Sequence, residues 1–274
     1  MKLFIDSADI EEIKKINSYG ILDGVTTNPS LIKKAVEKYK KGKKLNMELY
    51  IKEILEICKG KPVSLEVLGT DYNDMVKEAR ILFKKFNNVA NNVYIKIPVN
   101  PCLELNCDKN SDGIKAIKTL SKEKIPVNCT LIFTPEQALL AAKAGAKIVS
   151  PFAGRIDDYI REINRIKFKK ENYFPAEGFK KGKKILDDNG IVSGVHLIKE
   201  CVEIFKKQNI KAEILAASLR NTRQFREVAK AGADIATIPF SVIEKLLEHY
   251  KTAEGMKDFT RDIVPEYARA VGHE

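Results

Sequence analysis

One lysine stands alone in an apolar, β-branched run, Val93-Tyr94-Ile95-Lys96-Ile97-Pro98. Side chains alternate along a strand, so Tyr94, Lys96 and Pro98 share one face and Val93, Ile95 and Ile97 the other. Burial disfavours an ammonium group, and a lysine enclosed on both faces of a strand offers an amine nucleophile for carbonyl carbons. Taken singly, the residue fits better the solvent face of an edge strand, where lysine discourages aggregation. A carboxylate interrupts a second apolar run, Leu65-Glu66-Val67, and an ionised group there is costly unless paired or functional. An ion pair between Glu66 and Lys96 on neighbouring strands would satisfy both.

Further polar residues close apolar runs. Asp6 follows Leu3-Phe4-Ile5, and Asn28 follows Gly24-Val25-Thr26-Thr27. Asn128 and Thr130 are two apart, hence on one strand face, as are Ser150 and Phe152, and Ser218 and Arg220; Arg155 lies just past Phe152. Each has an ordinary explanation: Asp6 as a helix cap, Asn28 as a turn residue before Pro29, either arginine as the partner of a surface carboxylate. As a set they gather at one end of successive strands, where a (β/α)8 barrel keeps its active site.

The elements that must position them are apolar strands alternating with helical patterns. Strands read at 3–5, 24–27, 62–67, 93–98, 125–132, 146–152, 212–218 and 233–238. Residues 45–58 have helical periodicity, with Leu45, Leu49, Ile54, Leu55 and Cys58 inward; Gly145 and Gly232 fit helix stops. Eight strands separated by helices predict parallel pairing and an α/β fold, a (β/α)8 TIM barrel formed as one domain over 1–274. An open doubly wound sheet is the alternative, but no glycine-rich phosphate loop follows an early strand. Segments 100–112 and 159–194 read as insertions after strands 4 and 6, overhanging the C-terminal face. Segment 258–271 carries Phe259, Ile263, Val264 and Tyr267 at helical spacing. It reads as a terminal helix that caps its own barrel or packs on a neighbouring subunit.

Composition narrows the function classes. The chain has 274 residues, 44% of them hydrophobic and 31% charged, which suits a soluble barrel. No apolar run approaches the roughly 18 residues of a membrane span, and Asp6 comes too soon for a signal peptide. Five cysteines without a framework predict free thiols in a reducing cytoplasm, Cys102 and Cys107 included. His196, His249 and His273 show no close pairing, so no metal is expected. A net charge of +11 invites an anionic partner: phosphorylated metabolites, nucleic acid or an acidic membrane. The lysine-rich segment 159–194, with Phe168, Tyr173, Phe174 and Phe179, is the basis of a non-enzymatic, nucleic-acid-binding reading. It lacks a known binding motif, and such runs are usually solvated loops.

These stretches resemble the transaldolase family, specifically its short members, which include fructose-6-phosphate aldolase-like enzymes. The resemblance is carried by Phe4-Ile5-Asp6-Ser7-Ala8-Asp9, Gly24-Val25-Thr26-Thr27-Asn28-Pro29-Ser30, Ile95-Lys96-Ile97-Pro98, Asn128-Cys129-Thr130-Leu131, Ser150-Pro151-Phe152-Ala153-Gly154-Arg155, Ala216-Ala217-Ser218-Leu219-Arg220 and Ala231-Gly232-Ala233-Asp234-Ile235-Ala236-Thr237. It implies a class I aldol mechanism without a cofactor, with Lys96 as the Schiff-base amine and Asp6 as the acid–base group at the C4 hydroxyl. Glu66, with a water held by Thr130, would move protons during imine formation. Asn28, Asn128, Ser150 and Phe152 would line the sugar, and Arg155, Ser218 and Arg220 would bind the distal phosphate. Members that only cleave tend to have glutamine at the Glu66 position and tyrosine at the Phe152 position, whereas transaldolases have Glu and Phe, as here. The resemblance further implies a cytoplasmic enzyme of the non-oxidative pentose phosphate pathway. It also implies a homo-oligomer, with rings of five and double rings of ten common in the family. The two insertions depart from the family pattern.

Overall fold

A computed structural model describes residues 1–39 and 45–273. The eight apolar runs are strands β1 Lys2–Asp6, β2 Gly24–Thr26, β3 Val63–Glu66, β4 Val93–Pro98, β5 Val127–Ile132 and β6 Ile148–Pro151, then, beyond a hairpin of β7 Lys180–Lys181 and β8 Lys184–Ile185, β9 Glu213–Ala216 and β10 Ile235–Ile238. They close in the order β1-β10-β9-β6-β5-β4-β3-β2, every pair parallel, which is the expected (β/α)8 barrel. Helices α1 Ile10–Ser18, α2 Pro29–Tyr39, α3 Met47–Ile57, α4 Tyr72–Ala90, α5 Asp112–Lys122, α6 Pro135–Ala144, α7 Ala153–Ile163, α8 Gly194–Lys207, α9 Thr222–Ala231 and α10 Phe240–Leu246 surround it. None of the described helices is long and apolar enough to cross a membrane.

Strand alternation divides the core in two. Val93, Ile95 and Ile97 of β4 belong to the large cluster between sheet and helices. Phe4, Ile148, Leu215, Ala217 and Ile235 form a small cluster inside the barrel, against which Tyr94 and Phe152 pack. Tyr94 shares its strand face with Lys96, so Lys96 points inward, in a barrel that has no edge strand.

Several expectations are corrected. Leu49 is 62% exposed rather than inward: α3 begins at Met47 under an Asn46 cap, and that phase turns Tyr50, Ile54 and Leu55 to the core. The Tyr50 hydroxyl donates to Ala8 O, which fixes that choice. The tail is two short helices, α11 Tyr250–Arg261 and α12 Pro265–Ala270, because Pro265 breaks the run and opens the second. Neither buries a residue, so the tail does not cap its own barrel. Cys102 and Cys107 are not free thiols but a disulfide, their Cα atoms brought to 6.1 Å by the loop after β4; Cys58, Cys129 and Cys201 are free and buried.

The second insertion loses its first five residues and its last to α7 and α8. Its remaining span, 164–193, is anchored inward. Arg161 on α7 donates to Asn172 O and Tyr173 O and stacks on Phe168 and Phe174, each ring centroid 4.9 Å away. Phe174 is buried edge-on against Phe179. The Tyr173 ring lies under Arg223, and its hydroxyl donates to Glu227.

Candidate active site

The strand register sets Glu66, Lys96 and Asn128 side by side on β3, β4 and β5. Lys96 is 5% exposed, and its Nζ lies 3.1 Å from Glu66 Oε2. That contact is an ion pair but out of line for a hydrogen bond; the hydrogen bond of Nζ goes to Thr27 O at 3.1 Å. The pairing foreseen between Glu66 and Lys96 is therefore present, and it compensates the burial of both charges.

Asp6 ends β1 rather than capping α1, a role taken by Asp9. Its Oδ1 accepts from Thr26 Oγ1 at 2.7 Å, and Thr26 Oγ1 lies 2.6 Å from Thr237 Oγ1. Burial pushes the Asp6 carboxyl above its ordinary range, against the opposing pull of the Lys96 cation and the Thr26 hydroxyl. Thr26 and Thr237 are polar neighbours of Asp6 that the strand ends did not single out. As β-branched residues they read as ordinary strand formers, although both lie near the strand ends that carry the other polar groups.

Inside the barrel, the Asn128 amide is hydrogen-bonded at both ends, with one of its two Nδ2 hydrogens used. Its Nδ2 donates to Ser64 Oγ at 3.1 Å, and its Oδ1 accepts from Ser150 Oγ at 2.6 Å. Thr130 Oγ1 is buried and, among the described residues, has no hydrogen-bond partner. A buried hydroxyl without a partner is uncommon and costly, so it is a place where a ligand or water can bind. Asn28 stands just before Pro29, and its Oδ1 accepts from Leu31 N at 3.0 Å, so it caps α2 while facing the cavity.

Asp6, Asn28, Lys96, Ser150, Phe152, Arg155 and Ser218 line one cavity with about 480 Å³ of empty volume. Glu66 opens instead onto a neighbouring apolar groove. Arg220 faces a second opening, one that it shares with Arg155. Arg155 is exposed, stacks on Phe152 at 5.3 Å and has no ion pair among the described residues. Ser218 holds a left-handed backbone, φ 61°, at the turn that brings Arg220 back toward the mouth. Two close approaches let these loops meet: a Cβ on Gly154 would fall 2.1 Å from Ser218 O, and one on Gly194 would fall 2.1 Å from Ala153 O.

A buried amine, a carboxylate of raised proton affinity and a cationic mouth can form an imine with a carbonyl compound and hold an anionic group at a distance. The comparisons agree with that chemistry. The profile of the transaldolase/fructose-6-phosphate aldolase family matches residues 3–272. A probable transaldolase of Nitrosopumilus maritimus (strain SCM1) is 41% identical over 263 residues, covering 96% of this chain and 94% of the relative. Probable transaldolases of Methanococcus vannielii and Thermoplasma acidophilum are each 42% identical over 262 residues, covering 96% of this chain and 97% and 95% of theirs. Motif order, barrel and profile coincide over nearly the whole length, and the chain belongs to the transaldolase/fructose-6-phosphate aldolase family.

Proposed function

We propose that this protein is a transaldolase, which transfers a dihydroxyacetone unit from a ketose phosphate such as fructose 6-phosphate or sedoheptulose 7-phosphate to an aldose phosphate. The observation that carries the reading is the Lys96 amine, buried within the barrel beside Glu66 and sharing one cavity with Asp6. Glu66, through a water, takes a proton from the Lys96 ammonium; the free amine attacks C2 of the ketose, and the proton returns to the departing hydroxyl, so that loss of water leaves a protonated imine. Asp6 takes the proton of the C4 hydroxyl as the C3–C4 bond breaks. The electron pair passes into the imine, giving an enamine on Lys96, and the aldose phosphate departs. An incoming aldose phosphate accepts the enamine carbon and takes its proton back from Asp6; water then releases the new ketose. Glu66 and Thr130 hold the water that moves protons in the imine steps, a role supported by the partnerless Thr130 hydroxyl. Asn28, Asn128 and Ser150 contact the sugar hydroxyls, and Arg155, Ser218 and Arg220 bind the distal phosphate, for which a guanidinium fork is suited.

The alternative is a fructose-6-phosphate aldolase, which releases free dihydroxyacetone. Glu66 and the apolar Phe152 ring, which offers no hydroxyl to bring water to the enamine, favour transfer. The basic segment does not favour nucleic acid: Phe174 is buried and Tyr173 is covered by Arg223, so these rings are not offered as platforms for bases. We place the activity in the cytoplasm and the pentose phosphate pathway, where such sugars occur. The Cys102–Cys107 bridge is the feature that speaks for a more oxidising setting. A homo-oligomer is the expected assembly, supported by the uncovered apolar tail.

Borohydride reduction in the presence of fructose 6-phosphate, followed by peptide mapping, tests the chemistry. A dihydroxyacetone adduct on Lys96 is expected; an adduct on another lysine, or none, overturns the mechanism. Release of free dihydroxyacetone as fast as its transfer to erythrose 4-phosphate would assign the chain to the aldolase branch.

A further inference from the structure

Arg220 is held from several sides, and its chief holder has no role in the chemistry above. Arg220 Nη2 donates to Asp158 Oδ2 at 2.7 Å, and Nε donates to Ser218 O at 3.2 Å. A weaker contact of 3.4 Å runs from Nη2 to Ser218 Oγ. The backbone N of Arg220 donates to Gln224 Oε1 at 2.8 Å, so the loop itself is fixed where the side chain leaves it. Helix α7 abuts the guanidinium: a Cβ on Gly154 would lie 2.8 Å from Arg220 Nε. An arginine has five N–H donors, and these contacts use those on Nε and Nη2. The two on Nη1 have no partner among the described residues.

The Asp158 side chain is enclosed, and its one hydrogen bond among the described residues is the one to Arg220, its buried Oδ1 having none. Asp158 lies on α7 one turn before Arg161, whose Nη1 is 4.0 Å from Asp158 Oδ1 and whose Nη2 is tied to the carbonyls of Asn172 and Tyr173. The side chains of Asp158 and Arg220 are only 14% and 19% exposed, so their pair is shielded from solvent. Two effects of the carboxylate oppose each other. Its charge repels a phosphate, but it removes the rotamer freedom that a long arginine would otherwise lose on binding. Its Oδ2 engages only the Nη2 side of the fork, so orientation is gained while the Nη1 edge stays available; exposed Arg155 supplies the second cation.

We propose that Asp158 is a positioning residue: it aims Arg220 at the distal phosphate and so sets the preference for phosphorylated over unphosphorylated sugars. The proposal rests on the phosphate role given to Arg220 above. Its test compares Asp158→Ala, Asp158→Asn and Arg220→Ala in transfer from fructose 6-phosphate to erythrose 4-phosphate. Borohydride trapping of unphosphorylated dihydroxyacetone on Lys96 serves as the phosphate-free reference. In Asp158→Ala, KM for fructose 6-phosphate is expected to rise about tenfold with kcat within twofold, the size of one charge-assisted hydrogen bond. Asp158→Asn, whose carbonyl still accepts from Nη2, should fall between it and the parent, and trapping of dihydroxyacetone should match the parent in both. A KM that is unchanged or lower in Asp158→Ala overturns the proposal, because repulsion would then outweigh orientation. An equal loss of dihydroxyacetone trapping overturns it too, as general damage to the barrel. If Arg220→Ala leaves KM unchanged, the phosphate reading itself fails and the proposal with it. If Arg220→Ala raises KM and Asp158→Ala does not, only the positioning role fails.

Discussion

At the scale of single residues, the site is a contest over one proton. Burial drives Asp6 toward its neutral form, while the Lys96 cation and the Thr26 hydroxyl favour the carboxylate. A base for the C4 hydroxyl must be ionised, so activity should fall on acidification through the Asp6 pKa. That limb should lie above the ordinary carboxylate value of about 4. Thr26→Val keeps the shape but removes a donor to the carboxylate. The acid limb of kcat/KM should therefore move to higher pH, because the carboxylate loses a hydrogen bond that favours its ionised form. Profiles of parent and variant that superimpose would detach Asp6 from the limb. The charged members of this set were legible in the sequence, because a carboxylate or a lysine inside an apolar run requires an explanation. Thr26 and Thr237 were not, since a threonine in a strand requires none. Asp158 was equally silent: on an amphipathic helix a second aspartate reads as solvated surface until its partner across the loop is known.

At the scale of elements, the barrel strands were legible because strands covered on both sides are short apolar runs. The hairpin of β7 and β8 was not, because its four lysines are all exposed and carry no alternation to read. The end of the tail was misjudged because the helical spacing of its apolar residues runs across Pro265, whereas the backbone does not. Phe4 belongs to the apolar cluster inside the barrel on which the site stands. Its buried ring lies so close to β2 that a Cβ on Gly24 would fall 2.4 Å from it, which is backbone-to-ring contact with no side chain between. Gly24→Ala must displace the ring or the strand, and overpacking of this kind costs about 1–3 kcal/mol. Urea unfolding should show that loss as a lower midpoint with an unchanged slope. A midpoint equal to that of the parent would mean that the Phe4 ring has room to turn, and that the barrel floor is less tightly filled than the contact implies.

At the scale of the whole molecule, the tail is the part that a single chain does not explain. Tyr250, Met256, Phe259 and Tyr267 are 76%, 60%, 73% and 64% exposed, and α11 and α12 bury nothing against their own barrel. Helices of 12 and 6 residues are marginal in water without tertiary packing, so exposed apolar side chains on both are expected to find cover elsewhere. Another copy of the chain is the occupant expected, and a net charge of +11 per copy opposes that association. The two forces respond differently to salt: screening weakens the repulsion between copies but does not weaken apolar burial. Light scattering should therefore find an oligomer whose dissociation constant falls as salt rises from about 50 mM to about 300 mM, where the Debye length drops below about 8 Å. Phe259→Ser with Tyr267→Ser should reduce the mass toward that of one chain. It should leave dihydroxyacetone trapping on Lys96 in place, since no tail residue lines the lysine cavity. A monomeric parent, or a double variant of unchanged mass, would exclude the tail as the contact between copies.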